Sequence, residues 1–326
     1  MISTLQRAGH AQTQPPHRHL IKVKPWPVAS NAALGAVRSQ LWVARRALAS
    51  CVRAVMSRDT HGVTLGDEQR YNHFPASPAC SIGWYLSGSC ELLAPDCPAQ
   101  AASPRVSVGR IMFCGPFTRP AITWNPGPMH AMVLLLMPDA LALLTGIDPS
   151  AWIDRVVPVE EVFDGEWLGL CGAVDEAVSD EQRIGLIEAF LLPRWLQARP
   201  QTLLPAARLL SDWSQSLALR AATSGLGRSL RQVERRIKQW TGQTLRELQG
   251  VGRSERAFFD AVAAHRTGSV DWSDVANCSG YADQSHLCRQ TRRITGFAPE
   301  DLRRRIATEE GFWAYRLWGF SEGMPE

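Results

Sequence analysis

Residues 280–289 read Gly-Tyr-Ala-Asp-Gln-Ser-His-Leu-Cys-Arg, and residues 292–299 read Arg-Arg-Ile-Thr-Gly-Phe-Ala-Pro. A related segment lies 54 residues earlier in the chain. The matching positions are Ser229 with Asp283, Val233 with Leu287, Arg235 with Arg289, Thr241 with Thr295, Gly242 with Gly296, and Leu248 with Leu302. Ser and Asp are good N-cap residues, and Gly adopts the left-handed conformation that ends many helices. The repeat therefore predicts two similar helices, and the spacing of Ser229 and Gln232 also predicts a capping box.

Each predicted helix has an apolar side and a polar side. The apolar side carries Leu230, Val233, Ile237 and Trp240 in the first helix, and Leu287 and Ile294 in the second. The polar side carries Arg231, Glu234, Arg235 and Lys238 in the first helix, and Gln284, Ser285, Arg289 and Arg292 in the second. Arg, Gln and Ser side chains read base edges in the major groove of DNA. We therefore favour a DNA-facing role for the polar sides over a generic helical bundle.

The quoted stretch from Gly280 to Pro299 resembles the second helix-turn-helix signature of the AraC/XylS family. Residues 227–237, Gly-Arg-Ser-Leu-Arg-Gln-Val-Glu-Arg-Arg-Ile, with Trp-Thr-Gly at 240–242, are similar to the first signature. The match runs from about Leu203 to Ile306, a third of the chain. It implies a DNA-binding transcription regulator, in which a connecting helix around Leu245 to Ala264 holds two units against successive major-groove segments.

The resemblance also implies which side chains contact DNA. The base-contacting positions of the family fall on Arg231, Glu234 and Arg235 in the first helix, and on Gln284, Ser285 and Arg289 in the second. We add Gln232, Lys238 and Arg292 to the predicted DNA-binding set. Three positions depart from the family pattern: Thr291 replaces a large aromatic residue, Thr223 replaces a small one, and Glu234 is acidic. Such an acid could accept a hydrogen bond from cytosine N4.

The charge of the chain is unevenly distributed. The 326 residues carry a net charge of only +4. Between Arg220 and Arg305 there are 16 basic and 9 acidic residues, whereas the rest of the chain holds 19 basic and 22 acidic ones. A basic segment on a slightly acidic body favours a nucleic-acid partner, because clustered cations release counterions from a duplex. A solvated helix face would give the same charge pattern.

The remaining sequence predicts an α+β protein. Short apolar runs between Gly, Pro and Ser clusters, such as 81–86, 111–113 and 132–136, are typical of strands. We predict a poorly ordered arm over 1–45, a β-rich sensor domain over 46–158, and a helical connector or dimer element over 159–200. A double helix-turn-helix domain follows over 203–306, with a C-terminal tail over 307–326. By family analogy the β-rich domain would be cupin-like.

We predict no catalytic residue, no metal site and no cofactor. His17 and His19 have cupin-like spacing, but they lie in a polar, Pro-flanked segment without a third ligand. The cysteines of the β-rich region could sense oxidants, although inert buried thiols are the favoured interpretation: Cys80, Cys90, Cys97 and Cys114. An apolar effector pocket could be lined by Trp84, Tyr85, Phe113, Phe117 and Trp124, which could equally be core residues.

The expected partners are double-stranded DNA, RNA polymerase, an unknown small-molecule effector and, as an open alternative, a second copy of the chain. Residues 1–20 lack the apolar core of a signal peptide, and the apolar run 131–147 is too short to span a bilayer. We therefore expect a cytoplasmic protein without a membrane partner.

Two other functions compete with the regulator. A DNA-repair alkyl acceptor shares this helix-turn-helix module, but it uses a Pro-Cys-His-Arg motif that neither Cys80 nor Cys97 supplies. A ligand- or protein-binding module with a vestigial DNA domain is the third alternative. Common hydrolase, nucleotide-binding and dinucleotide-binding motifs are absent from the sequence, which does not favour an enzyme.

Overall fold

A computed structural model describes residues 18–25, 37–45, 47–199, 210–223, 229–319 and 321–322. His17 of the predicted His pair and Gly227 at the start of the first signature lie outside the described residues.

The N-terminal half of the chain is built from β-strands. The strands are β1 (Leu20–Pro25), β2 (Arg38–Ala44), β3 (Val52–Asp59), β4 (Tyr71–Phe74), β5 (Cys80–Ser87), β6 (Cys90–Leu93), β7 (Arg105–Val108), β8 (Ile111–Cys114), β9 (Ala121–Trp124), β10 (His130–Leu136) and β11 (Val156–Pro158). A short strand at the C-terminal end, β12 (Ser321–Glu322), pairs with β1. One sheet has the order β11-β8-β5-β10-β3-β2-β1-β12, and the other β4-β9-β6-β7. The predicted strand runs at 81–86, 111–113 and 132–136 are confirmed as parts of β5, β8 and β10.

The larger sheet is apolar on both faces. On one face Ile82, Trp84 and Phe113 join the main hydrophobic core. The alternate residues Ser81 and Gly83 face a cavity on the other side, since successive side chains of a strand point to opposite faces. The short apolar runs in the sequence therefore reflect strands that are buried on both faces.

Three helices cover the outer face of this sheet: α1 (Pro138–Thr145), α2 (Gly165–Glu176) and α3 (Asp180–Ala198). The indole Nε1 of Trp84 donates a hydrogen bond of 2.9 Å to the carbonyl oxygen of Cys171 in α2. Ile187, Leu191 and Trp195 of α3 are buried in the same core. The helices predicted at 159–200 therefore exist, and they pack on the β-rich region as part of its core.

The C-terminal part is helical. Its helices are α4 (Leu210–Thr223), α5 (Leu230–Thr241), α6 (Leu245–Thr267), α7 (Trp272–Cys278), α8 (Gln284–Thr295), α9 (Pro299–Thr308) and α10 (Trp313–Gly319). We call α4 with α5 the first helix pair and α7 with α8 the second helix pair. The long helix α6 contacts members of both pairs. The mixed fold, with β-sheets first and helices last, is the coarse architecture that the sequence predicts.

In the described residues, two predictions about the ends of the chain differ from the structure. The sequence predicts a poorly ordered arm over residues 1–45, yet β1 and β2 lie within them and extend the larger sheet. It predicts a tail over residues 307–326, yet Trp313 and Leu317 of α10 are buried against Leu41 and Met56. Both errors have one cause, because each segment is short and buries its apolar side chains only against distant parts of the chain.

The C-terminal segment is also held by polar contacts. The Glu310 carboxylate accepts from Arg58 of β3 at 3.0 Å and from Arg316 at 3.0 Å, and all three side chains are buried. Burial lowers the pKa of Arg58 to about 10, although the Glu310 charge opposes this shift. The Nε1 of Trp313 donates to the Asn72 side chain at 2.9 Å. These contacts fix the last helix on the β-rich region.

Within the parts of the chain that the structure describes, none of the helices combines the length and the apolar character needed to cross a bilayer.

Candidate nucleic-acid interface

Helices α5 and α8 end in the same way. Gly242 and Gly296 follow them with φ angles of 75° and 85°, in the left-handed region that a glycine tolerates. The Thr241 hydroxyl donates to the carbonyl of Ile237 at 2.8 Å and accepts from the amide of Gln243 at 3.2 Å. The Thr295 hydroxyl donates to the carbonyl of Thr291 at 2.7 Å and accepts from the amide of Phe297 at 3.2 Å. The sequence repeat is therefore also a repeat of hydrogen bonds.

The two helices begin differently. The Asp283 carboxylate accepts from the amide of His286 at 2.6 Å, as a good N-cap does. Ser229 occupies the N-cap position of α5 without a side-chain hydrogen bond to the helix. The predicted capping box of Ser229 and Gln232 is wrong, and the Gln232 side-chain oxygen is buried without a hydrogen-bond partner. Gln232 is half-buried, so it is the member of the predicted DNA-binding set that fits an outward role least well.

The inner sides of the helices pack as expected, with one exception. Ile237 is fully buried, and Val233 and Trp240 pack against the main core. In α8, Leu287 and Ile294 are buried. Leu230 is predicted to belong to the same apolar stripe, but it is 83% exposed. As the first residue of α5 it lies one turn before Val233 and Glu234, beyond the part of the helix that packs on the core.

The outer sides of both helices are open to solvent. The exposed members of the predicted DNA-binding set are Arg231, Glu234, Arg235 and Lys238 in α5, and Gln284, Ser285, Arg289 and Arg292 in α8. A contact of 3.4 Å joins the Ser273 hydroxyl to the Gln284 side-chain oxygen. Eight of the nine predicted residues are therefore available to a partner.

Basic groups from both helices also lie near the start of α6. Burial would raise the pKa of Glu247, but hydrogen bonds from Thr244 and the positive charges of Arg293 and Lys238 lower it below its ordinary value. Arg293 belongs to α8 and Lys238 to α5. Basic groups of both helices therefore lower the pKa of one carboxylate, on the helix that links the two helix pairs.

The turn of the second helix pair is fastened to α6. The Ser279 hydroxyl donates to Asp260 at 2.8 Å, and Gly280 follows with a φ of 76°. Asp271 caps α7 by accepting from the amides of Ser273 at 2.8 Å and Asp274 at 3.3 Å. A capped helix, a Gly turn and a second capped helix therefore present the outer side of α8.

The β-rich half contacts the C-terminal ends of both α5 and α8. A Cβ added at Gly242 would lie 3.0 Å from the Cα of Ser150, and one added at Gly296 would lie 3.7 Å from the Pro120 side chain. The amide of Ala76 donates to the carbonyl of Ile294 at 2.8 Å. These contacts hold the two helix ends and leave the predicted DNA-binding side chains exposed.

A buried carboxylate joins the first helix pair to the β-rich half. Asp139 of α1 accepts from the Trp213 indole at 3.0 Å and from Arg220 at 2.5 Å, and both partners belong to α4. A second ion pair links Arg53 of β3 to Glu255 of α6. Neither pair could be predicted from the sequence, because nothing in the sequence relates residues this far apart.

A largely apolar cavity of about 330 Å³ lies between the two halves. Its volume falls at the lower end of the range for small-molecule pockets. Its lining comes from β5, β8, β9 and β10 on one side and from α6, α8 and α9 on the other, and includes Ser81, Gly83, Tyr85, Val133, Val251 and Leu287. Of the aromatic residues predicted to line a pocket, Tyr85 and Phe117 do so, whereas Trp84 and Phe113 are core residues.

Three of the four predicted sensor thiols, Cys80, Cys90 and Cys114, are poorly suited to chemistry. Cys80 is fully buried, and desolvation raises its pKa far above the ordinary value. Cys114 lines the cavity, and burial raises its pKa to about 11. The pKa of Cys90 is also raised by burial, although hydrogen bonds with Tyr85 and Thr123 oppose the shift. Because the thiolate is the reactive form, these cysteines favour the inert interpretation over redox sensing or alkyl transfer.

One polar cluster contains a serine, a histidine and an aspartate. The Ser57 hydroxyl donates to Asp180 at 2.6 Å, and the Nε2 of His130 lies 3.3 Å from that hydroxyl and 3.2 Å from Asp180. A nucleophilic triad needs the two ring nitrogens to face the serine and the acid separately. Here one nitrogen faces both, and Ser57 is buried, so the cluster fastens α3 to the sheet.

No protein-family model and no curated protein matches the sequence. Among solved structures the chain is similar to an apo ToxT variant from Vibrio cholerae, with 11% identity, a TM-score of 0.35, and coverage of 76% of this chain and 96% of that one. Fatty acid-bound wild-type ToxT from the same organism has 12% identity and a TM-score of 0.33, with coverage of 72% of this chain and 91% of that one. The AraC-like transcriptional activator CuxR has 12% identity and a TM-score of 0.17, with coverage of 87% of this chain and 82% of that one. Such low values do not assign a family.

Proposed function

We propose that this protein is a sequence-specific DNA-binding transcription regulator of the AraC/XylS type. In this proposal the two helix pairs are helix-turn-helix units, and α5 and α8 are the recognition helices that enter adjacent major-groove segments. The observation that carries the proposal is the repeated helix with identical Thr-Gly endings, a packed inner side and an exposed polar outer side. A helix presented in this way can place its N-terminal side chains on base edges.

The charges of the helical part support a nucleic-acid partner. Arg231, Arg235 and Lys238 on α5, and Arg289 and Arg292 on α8, are all exposed. Arg can donate two parallel hydrogen bonds to guanine, and Lys and Arg both neutralise phosphates. Arg293 of α8 and Lys238 of α5 both lower the pKa of Glu247, which lies on the helix that links the two helix pairs. RNA polymerase and a second copy of the chain remain predicted partners.

The cavity supports control by a small apolar effector. Its walls include the inner side of α8 at Leu287, Thr291 and Ile294, so a bound molecule would contact a proposed recognition helix from behind. A ligand that prefers one arrangement of the two halves shifts the population of that arrangement by its difference in affinity. We therefore propose that effector binding changes how α8 is held relative to α5.

The DNA part of the proposal is tested by selecting binding sites from random duplexes with the full chain, followed by footprinting. The expected result is one enriched sequence, protected over two adjacent major-groove segments on one face of the duplex. Binding without enrichment, or no binding, would contradict the regulator and favour the binding-module alternative.

The effector part is tested with an unsaturated fatty acid, a probe chosen for its apolar chain, and with the Gly83→Val variant. A Cβ at Gly83 would meet nothing within 4 Å, so valine adds volume to the cavity wall without a clash at that atom. Ligand that binds the folded state raises its melting temperature. We expect the probe to raise the melting temperature of the wild type and not of the variant. An equal rise in both proteins would place the binding elsewhere.

A further inference from the structure

Leu230 departs from the pattern of its own helix. It is 83% exposed, whereas Ile237 on the same predicted stripe is fully buried. Its neighbours Arg231, Glu234 and Arg235 are also exposed, so the leucine lies among the polar side chains of the proposed DNA-facing side. A large apolar side chain in this position is open to contact by whatever α5 binds.

The repeat shows which position of the recognition helix Leu230 occupies. A shift of 54 residues places Leu230 on Gln284, and each is the first residue of its helix. Both side chains are exposed. The first turn of a recognition helix is the part that reaches base edges, so the two helices offer different chemistry, one apolar and one amide, at equivalent points.

We propose that Leu230 is a specificity residue that contacts the C5-methyl group of a thymine in the first half of the DNA site. This inference rests on the proposed function. Thymine alone presents a methyl group in the major groove, and apolar side chains recognise it by contact. The equivalent Gln284 has the amide that pairs with adenine N6 and N7. The basic neighbours Arg231 and Arg235 would hold the helix against the phosphates while Leu230 covers the methyl group.

Exposure alone does not distinguish this leucine. Leu219 of α4 is also 49% exposed, and isolated exposed leucines are common on protein surfaces. Leu230 differs because it begins a proposed recognition helix and is followed by two exposed arginines within five residues. Leu219 therefore serves as the matched control.

The test uses the full chain and the duplex obtained by site selection. Each thymine in the first half-site is replaced in turn by deoxyuridine, which removes only the methyl group. We expect one such replacement to weaken wild-type binding by about 4-fold, the effect of losing one buried methyl group. Leu230→Ala should bind the thymine duplex about as weakly and show no further loss with deoxyuridine. Leu219→Ala should behave as the wild type.

A gain of preference provides a second measurement. Leu230→Gln should exchange the thymine preference for adenine at that position, since glutamine reads adenine. Both substitutions are at an exposed site with good helix formers, so the melting temperature should not change. The inference is overturned if Leu230→Ala retains the full deoxyuridine effect at every thymine, or if no thymine shows one. Failure to select any site would instead overturn the proposed function, and this inference with it.

Discussion

Asp139 and Trp213 are joined by a hydrogen bond of 3.0 Å from the indole nitrogen to the carboxylate, and this bond connects α1 to α4. The Asp139 side chain is only 3% exposed, and its second oxygen is bound by Arg220 at 2.5 Å. A carboxylate buried to this extent is stable as a charge only while its partners remain. Asp139 therefore joins the first helix pair to the β-rich half through two buried polar contacts, in addition to the apolar packing between them.

Asp139→Ala should destabilise the protein strongly. It leaves Arg220 buried without its counter-ion and the Trp213 indole without its acceptor, and breaking a buried pair costs about 3–5 kcal/mol. Urea denaturation followed by tryptophan fluorescence measures the free energy of unfolding. Asp67→Asn is the control, because its side chain is 84% exposed and its pair with Arg70 should contribute less than about 1 kcal/mol. Equal effects of the two variants would contradict a structural role for Asp139.

Arg289→Ala should weaken binding to the selected duplex by about 1–3 kcal/mol and relax the preference at one base pair. The reason is that Arg289 projects from the exposed side of α8, where it could donate to a guanine. Arg304→Ala is the matched control, since Arg304 is an exposed arginine on α9 that is bound to Asp301 at 2.6 Å. Binding is measured by fluorescence anisotropy on the selected duplex and on its single-base variants. A uniform loss on all of them would make Arg289 a phosphate contact.

Lys238→Ala should weaken binding to all duplexes alike. Lys238 lies in the last turn of α5, away from the helix start that reaches base edges, so a phosphate is its expected partner. Loss of one phosphate contact reduces the slope of log affinity against log salt concentration by about 1. Titrations between 50 and 200 mM salt, about the range over which such slopes are measured, give this slope. An unchanged slope would show that Lys238 does not contact a phosphate of the duplex.

The stability of the fold should fall as the pH is lowered from about 6.5 to about 4. His73 stacks on Phe312 with ring centres 4.4 Å apart, and burial, with the nearby Arg305 charge, lowers its pKa to about 4. The unfolded chain therefore binds a proton in this range that the folded chain does not, and the stability present above pH 6.5 is progressively lost.

His73→Phe keeps an aromatic ring at this position and removes the titration. The difference in unfolding free energy between pH 7 and pH 4.5, about the range in which a histidine titrates, should be smaller in the variant than in the wild type, by at most about 3 kcal/mol. Identical pH profiles of the two proteins would show that His73 is not responsible.

Cys278 should react first with a thiol reagent in the native protein. It is exposed at the end of α7, whereas Cys51, Cys80, Cys90 and Cys171 are buried and have raised pKa values. Mass spectrometry after brief alkylation identifies the modified residue, and denaturant should make all eight cysteines reactive. Early modification of Cys80 or Cys90 would support the redox-sensing interpretation instead.

The helical part of the fold could be predicted from the sequence because its signals are local. Asp283, Gly242 and Gly296 determine helix ends within one turn of themselves, and the apolar spacing from Val233 to Ile237 identifies the packed side. Leu230 fits that spacing too, and it is exposed because periodicity does not show where the packing partner ends.

The contacts between the two halves could not be predicted in this way. Asp139 and Arg220 are 81 residues apart, and Arg58 and Glu310 lie still farther apart along the chain. Each pair depends on the tertiary arrangement, because the residue type Asp or Arg does not identify the side chain with which it pairs. The strands β1 and β2 were missed for the same reason, since their stabilising neighbours include β3 and the last residues of the chain.

The position of α10 determines when the strands are covered during synthesis and where the chain can be truncated. Trp313 and Leu317 cover Leu41 and Met56, so the surface of strands synthesised early stays uncovered until the end of the chain emerges. A premature stop codon shortly before Trp313 would expose this apolar surface even though every strand from β1 to β11 is present. For the same reason a fragment ending near residue 200 would be prone to aggregate, and the β-rich half has to be studied within the intact polypeptide.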